Sequence, residues 1–204
     1  MADDREEILA KVRGALAPLP ARAAMPAYDS GLELARKRVH AGDPVAEFTE
    51  RLRAVNGEVV PDAVALASLF RQRGWMRGYC DPALIGLIGP HFGEGFIVET
   101  QFDRSRMDDY QFGITRAVGA IAETGTLILN DATTSARLGA LAPWAHAAVI
   151  PRGKLYSDLP EALAELGSDP NVIWCTGPSK TADVEGILIE GVHGPGAQIA
   201  LFVG

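Results

Sequence analysis

Cysteine is scarce in this sequence, which has only Cys80 and Cys175 among its 204 residues. An iron–sulfur cluster usually takes four cysteine ligands, so the chain is not expected to hold one by itself. The two cysteines do not form a C-x-x-C pair, and a disulfide framework is not expected in a reducing compartment. Both lie in apolar stretches and are predicted to be buried thiols of the core.

Long apolar runs and an excess of basic residues are also missing. No apolar run approaches the roughly 18 residues that a membrane span requires. The net charge is −7, whereas a general nucleic-acid binder presents a basic surface. The chain starts with acidic residues and lacks the apolar core of a signal peptide. We therefore expect a cytoplasmic protein that binds neither a membrane nor a nucleic acid.

The composition is typical of a globular protein with a sizeable core, with 48% hydrophobic and 22% charged residues. Apolar residues recur at helical spacing in residues 6–16 and again after Asp43, a residue type that often caps helices. A segment rich in proline and alanine, residues 18–30, separates these two helices. We predict an N-terminal helical arm of residues 1–55 and an α/β domain of residues 56–204.

From residue 57 onward, short apolar runs alternate with helical patterns. The strand candidates are residues 58–60, 75–80, 97–98, 112–115, 126–129, 147–150, 172–175 and 198–203. The helix candidates are residues 61–73, 82–88, 160–166 and 181–189. Such alternation predicts an α/β fold with a mostly parallel sheet.

The first candidate site is the sequence Glu123-Thr124-Gly125-Thr126, which lies between two apolar runs. A carboxylate between strands is partly desolvated, a setting that is common at functional sites. Gly125 would let the backbone approach a ligand, and the two threonines offer hydroxyl groups. The alternative is a hairpin turn in which Glu123 only accepts hydrogen bonds from nearby N–H groups. The residues alone leave both interpretations open.

The second candidate is the run from Thr176 to Glu185, which is predicted to follow a strand and open a helix. Free N–H groups at a helix N-terminus favour anions, and Lys180 adds a positive charge. The run differs from a phosphate-binding P-loop, because Ser179 rather than glycine precedes the lysine. The alternative is an ordinary helix that Ser179 or Thr181 caps.

The third candidate is His193, which lies among three glycines and a proline in residues 191–196. A histidine in a loop can act as an acid, a base or a hydrogen-bonding clamp near neutral pH. No other histidine has a metal-ligand spacing to it, so no metal site is predicted. The alternative is a tight turn whose histidine packs on its own loop.

These three runs, in this order and spacing, resemble the signatures of the lactate utilization protein C family, also called the LUD domain. The central signature corresponds to residues 113–127, which include Glu123. The C-terminal signature corresponds to residues 176–185 and 191–195. The resemblance is strong over residues 100–204.

The resemblance implies a Rossmann-like, three-layer α/β/α fold of the group that contains ribose-5-phosphate isomerase, glucosamine-phosphate deaminase and the CoA transferases. It also implies a role in the oxidation of L-lactate to pyruvate beside two iron–sulfur partner proteins, which agrees with the low cysteine count. We interpret the chain as a subunit of such a system that binds a small anionic ligand and needs no cofactor of its own.

A second hypothesis is a stand-alone, CoA-transferase-like or isomerase-like enzyme. In CoA transferases of similar fold, a glutamate next to a glycine-containing turn is the nucleophile, and Glu123 resembles it. The candidate catalytic residues are Glu123 and His193. The candidate ligand-binding residues are Thr115, Thr124, Gly125, Thr126, Ser179, Lys180, Thr181, Asp183 and Gly194. Parallel sheets bind ligands beyond the carboxyl ends of their strands, so we expect Glu123, Ser179, Thr181 and His193 to converge there.

Overall fold

The computed structural model describes residues 2–18, 42–134, 136–166, 171–182 and 187–204. The chain forms two compact units, Met1–Val39 and His40–Gly204. The described part of the first unit is helix α1, Ala2–Leu16. Its apolar side chains at positions 8, 12 and 16 are all exposed. Most of the predicted linker, from residue 19 onward, lies outside the described residues.

The second unit is built on a six-stranded sheet whose neighbouring strands are all parallel. The spatial order of its strands is β1-β12-β7-β4-β2-β3. These strands are β1 (Glu58–Val60), β2 (Arg77–Cys80), β3 (Ile97–Glu99), β4 (Phe112–Arg116), β7 (Ala145–Pro151) and β12 (Ala197–Val203). The predicted α/β class with a mostly parallel sheet is confirmed.

A second sheet of four strands has the order β8-β5-β6-β9. Strand β8 runs parallel to β5, whereas β6 runs antiparallel to both β5 and β9. These strands are β5 (Gly119–Ile121), β6 (Thr126–Asn130), β8 (Leu155–Tyr156) and β9 (Val172–Cys175).

The prediction of a helix over residues 181–189 is wrong. This part of the chain contains β10, Lys180–Ala182, and β11, Leu188–Glu190, which pair antiparallel. The register places Lys180 opposite Glu190, and their charged groups lie 3.5 Å apart. A pairing across strands between opposite charges stabilises a hairpin, whereas a short apolar run does not by itself distinguish a strand from a helix.

The described residues of the second unit also form five α-helices. They are α2 (Pro44–Ala54), α3 (Ala63–Gln72), α4 (Ile85–Ile88), α5 (Arg137–Leu141) and α6 (Leu159–Glu165). Aspartates at positions 43, 62 and 158 cap α2, α3 and α6 by accepting a hydrogen bond from a backbone N–H of the first turn. No helix in the described ranges is long and apolar enough to cross a membrane.

Two hydrophobic cores lie on the two faces of the six-stranded sheet. Successive side chains of a strand point to opposite faces of the sheet. In β7, Ala147 and Val149 accordingly belong to one core, and Ala148 and Ile150 belong to the other. Helices α3 and α4 pack on the first face. Helices α2 and α5 and the four-stranded sheet pack on the second face.

Helix α2 belongs to the larger unit, because Phe48 and Leu52 are fully buried in the second core. The smaller compact unit ends at Val39, and the larger one begins at His40. The division into an N-terminal helical arm of residues 1–55 and an α/β domain of residues 56–204 stays a prediction.

Deletion of residues 1–20 should leave a protein that still unfolds cooperatively. The described part of the deleted segment belongs to the smaller unit, whereas both cores lie in the larger one. Thermal unfolding followed by circular dichroism measures the effect. The control is Phe48→Ala, which removes a ring 5.2 Å from that of Phe202 and should cost about 3–5 kcal/mol. A broad, non-cooperative transition in the truncated protein would contradict the prediction.

Candidate functional site

Two of the three sequence motifs meet at the amino end of β12. The backbone N–H of Ser179 donates to the carbonyl of Pro195 at 2.8 Å, and the N–H of Gly191 donates to the carbonyl of Ser179 at 2.9 Å. Residues 191–196 directly precede β12. We expected Ser179 and His193 at the carboxyl ends of the parallel strands, and the structure places them at the opposite end. The reason is that residues 191–196 lead into β12 and therefore lie at its amino end, where Pro195 holds Ser179.

A cavity of about 480 Å³ lies beside these two segments and is called the motif cavity here. Its wall consists of the end of α5, strand β9, the segments 176–180 and 193–195, and Gln198 of β12. Its lining includes the predicted residues Ser179, Lys180, His193 and Gly194. The structure thus brings together residues of the second and third motifs in the wall of one cavity.

Lys180 carries the positive charge of the motif cavity. Its ammonium group donates a hydrogen bond to the carbonyl of Val55 at 3.1 Å, and the Glu190 carboxylate lies 3.5 Å away. Val55 follows the last residue of α2, so the ammonium also lies at the negative end of a helix. These contacts fix the position of the charge. One carboxylate neutralises it in part.

A chain of three buried polar side chains lies on the sheet face that carries the motif cavity. His146 is the central member, with its Nε2 2.9 Å from Thr115 Oγ1 and its Nδ1 3.0–3.1 Å from the Gln198 amide. None of the three is more than 3% exposed. Burial lowers the pKa of His146 to about 4, against the smaller opposing effect of the hydrogen bond with Gln198. The imidazole is therefore neutral at pH 7.

Thr115 was predicted as a ligand-binding residue, but it is fully buried and does not line the motif cavity. Its hydroxyl bonds to His146 instead. Sequence reasoning missed Gln198, which does line the cavity. The available signal was a polar residue inside an otherwise apolar strand, and His146 gives the same signal in β7.

Glu123 lies in the turn between β5 and β6 and is half-buried. We expected hydrogen-bond donors from residues 124–126, but Oε1 accepts from the backbone N–H of Leu159 at 3.2 Å. Leu159 is the first residue of α6, where backbone N–H groups lack partners within the helix. Glu123 is not among the residues that line the motif cavity.

Gly125 serves the packing of α2. Its φ is +66°, and a Cβ at this position would lie 2.4 Å from the backbone nitrogen of Leu52. The close approach that we predicted for a ligand is therefore made by the chain's own helix. A side chain here would be strained by both the backbone conformation and the contact.

Threonine hydroxyls connect this turn to the motif cavity. Thr126 Oγ1 lies 2.7 Å from Thr124 Oγ1 and 2.7 Å from Thr176 Oγ1. Thr176 lines the cavity. Thr181 is half-buried in β10 and does not line it. Asp183, the remaining candidate, lies outside the described residues.

The motif cavity also borders the Cys175 thiol. Burial raises the pKa of this thiol to about 11, so at neutral pH it is the protonated, weakly reactive form. Burial and the nearby Asp81 raise the pKa of the Cys80 thiol to about 12. Within the described ranges, no group of three or more His, Cys, Asp or Glu residues is arranged to hold a metal ion.

Comparison with known proteins identifies the family. The model of the LUD domain matches residues 92–203, which contain both motifs of the cavity and the buried polar chain. The chain belongs to the LUD domain family. The resemblance drawn from the three sequence motifs is thereby confirmed.

Relatives and a solved structure agree with this assignment. Lactate utilization protein C of Deinococcus radiodurans is 26% identical over 213 aligned positions, which cover 100% of this chain and 97% of that protein. Lactate utilization protein C of Bacillus licheniformis is 32% identical over 98 residues, 44% of this chain. The aligned part spans only 41% of the length of the Bacillus protein. A crystal structure of a DUF162 family protein from Deinococcus radiodurans has a TM-score of 0.57 at 22% identity and covers 79% of this chain and 96% of that one. That structural likeness shows the fold.

The depressed pKa of His146 predicts how stability depends on pH. Below about pH 6.5 the unfolded chain binds a proton at this histidine, whereas the native protein does so only near pH 4. The contribution of neutral His146 to the free energy of unfolding is therefore fully present above about pH 6.5 and is lost as the pH falls toward 4. His146→Gln should make the loss of unfolding free energy between pH 7 and pH 5 smaller by about 2 kcal/mol.

Urea unfolding at the two pH values measures this difference. His91→Gln, at an exposed position, is the matched control and should unfold like the unsubstituted protein. An unchanged pH dependence in His146→Gln would show that His146 is not the group that titrates.

Proposed function

We propose that this protein binds a small carboxylate in the motif cavity and acts in the use of lactate. The observation that carries the proposal is the convergence of Ser179, Lys180 and His193 on one cavity from two separate motifs. The family's relatives named lactate utilization protein C support lactate, or its oxidation product pyruvate, as the carboxylate.

The chemistry of the cavity suits such an anion. The ammonium of Lys180 gives a charge-assisted hydrogen bond to a carboxylate, and the hydroxyl of Ser179 adds a second donor. His193 is exposed at the rim and can donate a third. A volume of about 480 Å³ lies within the usual range of small-molecule sites.

The proposal includes iron–sulfur partner subunits. Oxidation of lactate to pyruvate releases two electrons and two protons, and iron–sulfur clusters accept electrons one at a time. The two cysteines of this chain are fewer than the four that a cluster usually requires. The clusters of the proposed system therefore belong to other chains, and this chain contributes the carboxylate site.

The alternative, a stand-alone CoA-transferase-like or isomerase-like enzyme that uses Glu123, stays a prediction. The carboxylate of Glu123 bonds to the start of α6, and Glu123 does not line the motif cavity. The hydroxyl chain through Thr126 and Thr176 is the link between its turn and the cavity.

The proposal predicts that Lys180→Met weakens the binding of L-lactate by about tenfold or more, because a hydrogen bond to a charged group contributes roughly 1.5–3 kcal/mol. Isothermal titration calorimetry measures the Kd. Lys154→Met is the matched control, since that lysine lies in a short helical turn away from the cavity. Glu123→Gln should bind lactate normally.

Growth on lactate tests the wider role. In a host that depends on this protein for growth on lactate, Lys180→Met should impair growth while its melting temperature stays close to that of the unsubstituted protein. Binding that is equal in Lys180→Met and in Lys154→Met would contradict the proposed site. Loss of growth in folded Glu123→Gln, with normal binding of lactate, would instead support the enzyme that uses Glu123.

A further inference from the structure

Gln198 is the polar residue that β12 contributes to the motif cavity. Side chains alternate between the two faces of a strand, so Gln198 shares its face with Ala200 and Phe202. Both of those residues belong to the second core, on which α5 and β9 pack. The cavity lies between α5, β9 and this face, and Gln198 is only 3% exposed. Its amide therefore forms part of the inner wall, away from the rim where His193 lies.

The position of the Gln198 amide is fixed by His146. Nε2 of Gln198 donates to the His146 carbonyl at 3.2 Å, and the amide also contacts Nδ1 of the same residue at 3.0–3.1 Å. The opposite ring nitrogen of His146 is held by the Thr115 hydroxyl. These bonds fix the rotation of the imidazole and hence the direction of the amide. Nε2 also lies 3.5 Å from the Ile199 carbonyl, so its two N–H donors already have acceptors within the protein. The amide oxygen has two lone pairs and keeps capacity to accept a hydrogen bond from a ligand.

Burying the three polar side chains of Thr115, His146 and Gln198 costs desolvation free energy, which their mutual hydrogen bonds must offset. The neighbouring positions of β7 and β12 are occupied by alanines, such as Ala148 and Ala200, which bury no polar group. Apolar residues at these three positions would avoid the desolvation cost of burying polar side chains. The row of hydrogen-bonded side chains ends with Gln198 at the wall of the cavity that holds the proposed carboxylate site. Ordered polar groups of this kind are what a site needs to recognise a second polar group of a ligand.

Resting on the proposed function, we propose that Gln198 determines the specificity of the motif cavity for a small hydroxycarboxylate. Lys180, Ser179 and His193 bind the carboxylate, and the Gln198 amide oxygen accepts a hydrogen bond from the hydroxyl group that the ligand carries in addition. His146 and Thr115 are positioning residues that act through Gln198.

The test compares two ligands that differ by one hydroxyl group, L-lactate and propionate. A site built to bond a hydroxyl group discriminates against an analogue that lacks it, because a buried polar group is then left without its partner. The unsubstituted protein should bind L-lactate about tenfold or more tighter than propionate. Gln198→Met should bring the two Kd values to within about threefold of each other by weakening the binding of lactate. Lys180→Met should weaken both ligands and keep their ratio.

Two variants of Thr115 test whether His146 and Thr115 position the Gln198 amide. Thr115→Val removes the hydroxyl from His146 at nearly constant volume and should reduce the lactate-to-propionate preference, whereas Thr115→Ser should restore it. This pair also decides the question if Gln198→Met fails to fold. Equal melting temperatures of the two Thr115 variants would show that the change in preference is not a loss of stability.

The possible outcomes separate this inference from the proposed function. Binding of both ligands with no preference in the unsubstituted protein, or a preference that persists in folded Gln198→Met, overturns the role of Gln198 and leaves the carboxylate site standing. A preference that is equal in Thr115→Val and Thr115→Ser overturns the positioning role. Binding of neither ligand overturns the proposed function and the inference with it.

Discussion

The motif cavity depends on two backbone hydrogen bonds, Ser179 to Pro195 and Gly191 to Ser179. They hold the segment that leads into β10 against the segment that leads into β12. In this arrangement Ser179 and Lys180 share a wall of the cavity with His193. The glycines of residues 191–196 make this close approach possible. A Cβ at Gly194 would lie 3.2 Å from the Ser179 Cβ, and one at Gly196 would lie 2.4 Å from the Trp144 ring.

The second support of the site is the alternation of side chains along β7 and β12. Each strand gives apolar residues to both cores, and the same alternation turns His146 and Gln198 toward the face that carries the cavity. The buried chain from Thr115 to Gln198 crosses three neighbouring strands, β4, β7 and β12, because these strands are adjacent in the sheet. One parallel sheet thereby supplies both the stability of the domain and the inner wall of the cavity.

The sequence predicted the regular strands well, because their apolar runs are bounded by clear turn residues. The apolar run of residues 198–203, which forms most of β12, is an example. Helix α3 was also predicted, and the alternation of such strands and helices indicated the α/β class. The antiparallel pairing of β10 with β11 was missed, since its register, which places Lys180 opposite Glu190, joins separate segments and is not revealed by a local pattern. The location of the cavity could not be predicted either, because it depends on backbone hydrogen bonds between Ser179 and the segment before β12.

The candidate site was predicted in part. Ser179, Lys180, His193 and Gly194 were named from their motifs and do line one cavity. The role of Gly125 in packing α2 depends on a contact with residues far away in the sequence, which a motif cannot show. Gln198 is a single polar residue in an apolar strand, and only the sheet register identifies its partners.

The most direct test of the account is a crystal structure of the protein with bound L-lactate. We predict that the carboxylate lies within hydrogen-bonding distance of Ser179 and Lys180 in the motif cavity. The usual ligand position in a parallel α/β sheet is instead the carboxyl end of the strands. In this protein the ion pair of Asp81 and Arg116 lies at that end, after β2 and at the end of β4, with its charged atoms 2.9 Å apart. Lactate bound beside that ion pair, with the motif cavity empty, would contradict the account.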